Sequence, residues 1–102
     1  MEENRLHKRV TIRTEVWRGE DGIFTRGTER LANLSVGGAF IEGAGTTTGS
    51  ILNLRFRLPD SNEFITCTAV ARNTHGGGLG IEFLDLSPEN IDRLATFVDE
   101  NS

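Results

Sequence analysis

The sequence is poor in several residue types that mark particular classes of protein. Its 102 residues include one cysteine, two histidines, two prolines, one tryptophan and no tyrosine. A single cysteine excludes an internal disulfide, and neither it nor the histidines stand at the spacing of a metal site. No apolar run is long enough to span a bilayer, and the N-terminus, MEENR, lacks the core of a secretory signal. We therefore expect a cytoplasmic protein with no metal, no cofactor and no membrane insertion.

Positive charge is also in short supply. The formal net charge is -4, from 11 Lys and Arg against 15 Asp and Glu. Binders of nucleic-acid polymers usually carry a basic surplus, so the composition argues against that class. The balance is uneven, because residues 1–30 carry seven basic and six acidic residues, whereas residues 31–102 carry four and nine. A small anion could find a local basic site, but a long polyanion would be repelled by most of the chain.

Hydrophobic alternation predicts a β-rich fold. Apolar and polar residues alternate with the period of half-buried strands, and clusters of Gly, Asn, Asp, Ser or Pro separate the runs, including a turn at residues 73–78. The second run contains Gly27, where we expect a bulge. Six strands with short turns favour an antiparallel sheet that closes into a barrel. The expected strands are residues 10–16, 23–34, 39–42, 51–58, 64–72 and 79–83.

The last segment changes to a helical period. Ser87 is a typical N-cap and Pro88 suits the first helical position. We therefore predict an all-β fold with one terminal helix, that is, a six-stranded antiparallel β-barrel capped by a C-terminal α-helix of about ten residues. As a single domain, residues 1–102 divide into an arm (1–9), the barrel (10–86) and the helix with its tail (87–102). The expected apolar stripe of the helix is Ile91, Leu94, Ala95 and Val98.

Several conspicuous side chains have ordinary structural interpretations. Cys67 should share a buried face with Ile65 and Ala69 and behave as a small hydrophobe. Trp17 is expected to pack under the arm or the helix. The arginines of the late strands are expected to form a solvated outer stripe; they are Arg55, Arg57 and Arg72.

Two clusters carry the chemistry that points to a ligand. Residues 5–9, RLHKR, hold two arginines just before the first strand, and residues 33–38, NLSVGG, lie at the end of the second. The planar fork of arginine can bind phosphate oxygens, donate to guanine O6 and N7, and stack on a purine. Asn33 and Ser35 add donors and acceptors, while Gly38 permits a sharp turn or a close approach. Taken alone, the first cluster is better explained as a solvated basic terminus and the second as an ordinary turn, and the same Arg spacing recurs at 9–13 and 26–30.

The order of these features resembles the PilZ domain, the bacterial receptor module for cyclic di-GMP. The likeness covers nearly the whole chain: Arg-x-x-x-Arg, a strand pair, Asn-x-Ser-x-x-Gly, a six-stranded barrel and a terminal helix. It implies that Arg5 and Arg9 clamp the phosphates and guanine faces. It also implies that Asn33 and Ser35 hydrogen-bond the ligand, with Gly38 shaping the loop. The arm would be loose without ligand and would fold over the barrel on binding, which can switch a partner surface.

The resemblance implies a receptor that acts on an unidentified effector protein in motility, biofilm or exopolysaccharide control. We expect a monomer or weak homodimer whose output lies in another molecule, and a single bound ligand rather than a stacked pair. The alternative is a PilZ-like structural interaction module that binds no nucleotide. A small barrel for single-stranded nucleic acid lacks the expected basic groove with interleaved aromatics. No acid/base pair or nucleophile motif indicates an enzyme.

Overall fold

Six strands and one helix make up the computed structural model, which describes residues 9–20, 22–43, 47–59 and 61–101. All neighbouring strands are antiparallel, and their order β1-β2-β3-β6-β5-β4 closes because β4 also pairs with β1. The predicted six-stranded antiparallel barrel with a C-terminal helix is confirmed. The elements are β1 (Val10–Glu20), β2 (Ile23–Leu34), β3 (Gly38–Glu42), β4 (Ile51–Arg57), β5 (Phe64–His75), β6 (Gly78–Asp85) and α1 (Pro88–Asn101).

The turn between β5 and β6 is shorter than the sequence suggests. The Asn and Gly content predicted a turn over residues 73–78, but β5 continues to His75, which pairs with Gly78 at the start of β6. Only Gly76 and Gly77 remain in the turn, with φ of 56° and 81°. A two-residue hairpin with positive φ at both positions matches the twist of the strands, so the ladder can run to the turn itself.

Strand β2 contains two irregularities that decide which of its side chains face outward. Between Glu15↔Arg30 and Trp17↔Arg26 it carries two extra residues, in the region where Gly27 predicted a bulge. Nearer its end, Leu31 and Leu34 are both fully buried although they are three residues apart. A regular strand would place them on opposite faces, and an extra residue between Leu31 and Asn33 against β3 resolves this conflict.

The core fills the barrel and continues into the helix. The buried side chains include Val16, Leu54 and Phe56, and those of α1 join the same cluster. As predicted, Ile65, Cys67 and Ala69 share the buried face of β5. Burial raises the pKa of the Cys67 thiol to about 12, with a smaller contribution from the Asp85 carboxylate.

The helix begins where the sequence predicts, but only Leu94 and Val98 of the predicted stripe are buried. The Ser87 hydroxyl accepts a hydrogen bond from the Asn90 backbone N–H at 3.1 Å, so the predicted N-cap is confirmed. The buried residues are Leu94, Phe97 and Val98, whereas Ile91 is 40% exposed and Ala95 is also exposed. Both stripes have helical spacing, and contact with the barrel selects the one that contains Phe97. No helix in the described residues has both the length and the hydropathy to cross a bilayer.

Candidate functional site

The barrel topology brings the two sequence clusters to one end of the molecule. Val10 at the start of β1 pairs with Leu34 at the end of β2, and Gly38 opens β3 immediately afterwards. Because the strands are antiparallel, β6 ends at this same end, and α1 follows it. The predicted loop and the start of β1 are therefore neighbours, close to the helix.

Arg9 and Asn33 are in direct contact across this end. Asn33 pairs with Thr11, two residues after Arg9, so the two side chains are diagonal neighbours on the outer surface. Arg9 Nη1 donates to Asn33 Oδ1 at 3.2 Å, and the contact is exposed to solvent. The hydrogen bond holds a guanidinium beside an amide while leaving its other donors available.

Ser35 has a different environment from the one expected of a ligand contact. Its side chain is 3% exposed. The hydroxyl accepts from the backbone N–H groups of Gly37 at 3.2 Å and Gly38 at 3.1 Å, and donates to the Gly38 carbonyl at 3.2 Å. Those three bonds use the one donor and both acceptor positions of the hydroxyl. In this structure Ser35 therefore organises the loop, and a direct bond to a ligand would have to replace one of these contacts.

Gly38 is required by the barrel rather than by an unusual backbone angle. Its φ is outside the positive region, but a Cβ at this position would collide with the Ile81 carbonyl oxygen on β6. Gly38 pairs with Glu82, and the Phe83 N–H donates to the Gly37 carbonyl at 2.9 Å. The glycine thus allows β3 and β6 to approach closely where the loop joins the sheet.

Arg5, the other member of the predicted arginine pair, lies outside the described residues. Of the five predicted site residues, the structure places Arg9, Asn33, Ser35 and Gly38 at one end of the barrel. Arg9 and Asn33 present polar atoms to solvent, whereas Ser35 and Gly38 stabilise the loop of residues 35–38.

A family model of the PilZ domain matches residues 3–100 of the chain. The chain belongs to the PilZ family. PilZ domains are known as receptors or effector modules that respond to cyclic di-GMP. No curated protein gives a significant sequence match.

Solved structures with the same fold include an inhibitor of motility and a PilZ domain with c-di-GMP. The inhibitor of motility MotI/DgrA from Bacillus subtilis superposes with a TM-score of 0.82 at 19% identity, covering 97% of this chain. The match covers 51% of that protein, so this chain spans about half its length. The PilZ domain of YcgR from Escherichia coli, solved with c-di-GMP, superposes with a TM-score of 0.70 at 16% identity, covering 97% of this chain and 92% of that one. At these identities the likeness concerns the fold.

A second exposed arginine, Arg13, lies four residues after Arg9, and the sequence pattern did not indicate it as a site residue. Arg13 Nη1 lies 3.5 Å from Glu42 Oε1, and the two side chains are 75% and 53% exposed. The Arg9-x-x-x-Arg13 spacing is visible in the sequence, but it does not reveal Glu42, which is 29 residues away.

A cluster of aromatic and arginine side chains covers another part of the outer barrel surface. Arg55 lies over the Phe24 ring at 4.3 Å and the Phe64 ring at 5.7 Å, and Arg57 lies 6.0 Å from Phe64. Trp17 meets Phe64 edge-on, with ring centroids 5.2 Å apart. We refer to these five residues as the aromatic cluster.

The aromatic cluster corrects two expectations from the sequence. Trp17 packs against Phe64 on the barrel exterior rather than under the helix, because it faces outward on β1 opposite Arg55 of β4; most of the arm, the other expected cover, lies outside the described residues. The stripe of late-strand arginines is not simply solvated, since Arg55 and Arg57 lie against rings and Arg72 donates to Glu82 at 2.7 Å.

Proposed function

We propose that this PilZ domain is a cyclic di-GMP receptor that passes the signal to a partner protein. The ligand binds between the N-terminal arginines and the loop that follows β2. The contact between Arg9 and Asn33 carries the proposal, because it joins the two sequence clusters at one solvent-exposed place. Membership of the family supports it, and the fold shared with the YcgR domain is consistent with it.

The chemistry of the exposed pair suits a guanine-bearing phosphate. Arg9 can offer two parallel N–H donors to phosphate oxygens or to guanine O6 and N7. The Asn33 amide supplies a donor and an acceptor to the edge of a base. The existing hydrogen bond between them is single, exposed and 3.2 Å long, so a ligand can replace it at little cost.

The remaining predicted residues have supporting roles in this proposal. Arg5 supplies a second guanidinium from the arm, residues 1–9, and a single ligand is held between the arm and the barrel. Ser35 and Gly38 keep the loop close to Asn33 through backbone contacts. Ligand binding then orders the arm over the barrel end near α1 and changes the surface that a partner meets.

A PilZ-like interaction module that binds no nucleotide is the second candidate. It is favoured by Ser35 and Gly38, whose contacts with the loop and with β6 are complete without any ligand. A motif with a structural purpose would persist in a barrel that has no receptor role. Direct binding measurements distinguish the two candidates.

Isothermal titration calorimetry with cyclic di-GMP tests the receptor proposal. We expect binding by the wild type and a loss of at least about tenfold in affinity for Arg9→Ala, because a charge-assisted bidentate contact is removed. Arg26→Ala is the matched control, since Arg26 is 54% exposed and pairs with Glu15 elsewhere on β1 and β2. No binding by the wild type, or equal binding by wild type and Arg9→Ala, would contradict the proposal.

Limited digestion with trypsin tests the ordering of the arm. Arg5, Lys8 and Arg9 are tryptic sites within it. We expect saturating cyclic di-GMP to slow cleavage at these sites while leaving cleavage after Arg93 of α1 unchanged. Equal cleavage with and without ligand, in a protein shown to bind, would reject the arm mechanism but not the receptor function.

A further inference from the structure

Arg13 of β1 faces solvent, as does Arg9, the residue just before the strand. Val10 and Val16 point into the core and Ile12 packs against it, so Arg9, Thr11 and Arg13 face solvent. Four residues of strand separate the two arginines by about 13 Å. Two guanidinium groups thus stand on one surface, on the strand that pairs with the Asn33 end of β2.

The partner of Arg13 lies on a strand that β1 does not contact. Glu42 ends β3, and β2 lies between β1 and β3 in the sheet. The Arg13 side chain therefore crosses the outer surface of β2 to reach Glu42 at 3.5 Å. This path runs toward Arg30, which pairs with Glu42, and it starts two residues after Thr11, the partner of Asn33.

The Arg13–Glu42 contact has the features of an ion pair that another anion can replace. It is long for an ion pair, both side chains are more than half exposed, and it forms through one nitrogen rather than the bidentate fork. Exposed pairs of this kind add little to stability. Arg18, by contrast, meets Glu29 through two bonds of 3.1 and 3.0 Å in a partly buried position.

We propose that Arg13 is a further anion-binding residue of the ligand site and that Glu42 is the internal anion that a ligand phosphate displaces. This inference rests on the proposed function. Cyclic di-GMP has two phosphodiester groups, so one molecule can engage Arg9 and Arg13 together. The Glu42 carboxylate competes for Arg13 until the ligand arrives and thereby sets the affinity and the salt sensitivity of binding.

Calorimetric titration of cyclic di-GMP into four proteins tests the inference: wild type, Arg13→Ala, Glu42→Gln and the double variant. We expect Arg13→Ala to weaken binding by about fivefold to tenfold and Glu42→Gln to strengthen it by about twofold to fivefold. In the double variant the Glu42→Gln gain should vanish, because its effect acts through Arg13. Arg26→Ala removes the same charge from another exposed ion pair and should leave the affinity unchanged.

Three outcomes would overturn the inference in distinguishable ways. No binding by the wild type overturns the proposed function and this inference together. Binding by the wild type that Arg13→Ala leaves unchanged overturns the inference alone. A Glu42→Gln gain that persists without Arg13 shows general repulsion by the carboxylate instead of displacement. Because both side chains are exposed, we expect all four proteins to unfold at similar temperatures. Thermal unfolding measures this, and equal temperatures would exclude loss of fold as the cause of a change in affinity.

Discussion

Arginine side chains are held in two different ways on the outer surface of this barrel. Near the start of β1, Arg9 and Arg13 contact single oxygens at 3.2 and 3.5 Å and remain exposed. On the β4 and β5 side, Arg55 lies between the rings of Phe24 and Phe64. An oxygen partner can be exchanged for a phosphate oxygen, but a guanidinium that leaves a ring uncovers apolar surface. The kind of partner, oxygen or ring, therefore indicates which arginines are available to an anion.

The two regions also differ in what supports them. At the Arg9 end, the loop of residues 35–38 is held by backbone groups and one hydroxyl, with Gly38 against β6. In the aromatic cluster the contacts are between side chains of β1, β2, β4 and β5. We therefore expect changes near the loop to alter the ligand site and changes in the cluster to alter stability alone.

The largest expected effect is that of Gly38→Ala. The added methyl group would meet the Ile81 carbonyl, force β3 and β6 apart and cost about 3 kcal/mol in the free energy of unfolding. Urea denaturation measures the loss, and ligand affinity should fall as well because the loop moves. Gly27→Ala is the control, since a Cβ there has no atom within 4 Å, and should change stability by less than about 0.5 kcal/mol. Equal stabilities for the two variants would show that the β3–β6 approach is not the reason for glycine at 38.

Ser35→Ala should have the next largest effect. It leaves two loop N–H groups without their acceptor, at a cost of about 2 kcal/mol, and should weaken ligand binding only by loosening the loop. Ser61→Ala, which removes a similar bond to the Glu63 N–H in an exposed turn, should cost much less. If Ser35→Ala weakens binding of cyclic di-GMP while unfolding as the wild type does, Ser35 contacts the ligand directly and the supporting role is wrong.

Arg55→Ala and Arg9→Ala together test the comparison itself. Loss of the ring contacts should lower the free energy of unfolding of Arg55→Ala by about 1 kcal/mol and leave the affinity for cyclic di-GMP unchanged. Arg9→Ala should do the opposite, because its only contact within the described residues is an exposed hydrogen bond. Thermal unfolding and calorimetry on both variants suffice, and any ligand effect of Arg55→Ala would break the distinction between the two regions.

The smallest expected effect concerns the reactivity of Cys67, which lies on β5 opposite Leu54 and next to Thr66, a hydrogen-bond partner of Arg55. Burial raises the pKa of this thiol to about 12, so a disulfide reagent at pH 8 should react only when the strands open. Arg55→Ala should speed the reaction about fivefold if it weakens β4–β5 locally by about 1 kcal/mol, while Arg9→Ala should not change the rate. The same rate for both variants would place the opening elsewhere.

The raised thiol pKa also fixes the direction of a pH effect. Above the ordinary thiol pKa of about 8.5 the unfolded chain releases this proton and the folded protein keeps it. The contribution of Cys67 to stability is therefore intact below pH 8.5 and is lost as the pH rises toward 12. Cys67→Ala should flatten this part of the stability profile, and an unchanged profile would contradict the assignment.

Local patterns predicted most of the fold because they reflect local physics. Alternation identified six strands, Ser87 and Pro88 marked the helix start, and the neighbourhood of Gly27 is irregular as expected. The predictions failed where the end of a strand or the buried side of the helix depends on contacts with another element. β5 extends to His75 because β6 is there to pair with it, and Phe97 replaces Ile91 in the buried stripe because the barrel contacts that side of the helix.

The candidate site shows the same limit. Order along the chain was enough to select Arg9 and Asn33, which the structure brings into contact, while Arg5 lies outside the described residues. It could not show that the Ser35 hydroxyl is saturated by its own loop. The Arg13–Glu42 pair was equally invisible, since it depends on β3 lying one strand beyond β2.

By itself the sequence determined the number and type of elements, the closure-prone antiparallel order and the family, because periodicity, turn residues and motif order are properties of short segments. Tertiary structure alone decided which arginines face oxygens and which face rings. That choice depends on register, on the bulges of β2 and on which strands become neighbours when the barrel closes. These are relations between residues far apart in the chain, and no local preference encodes them.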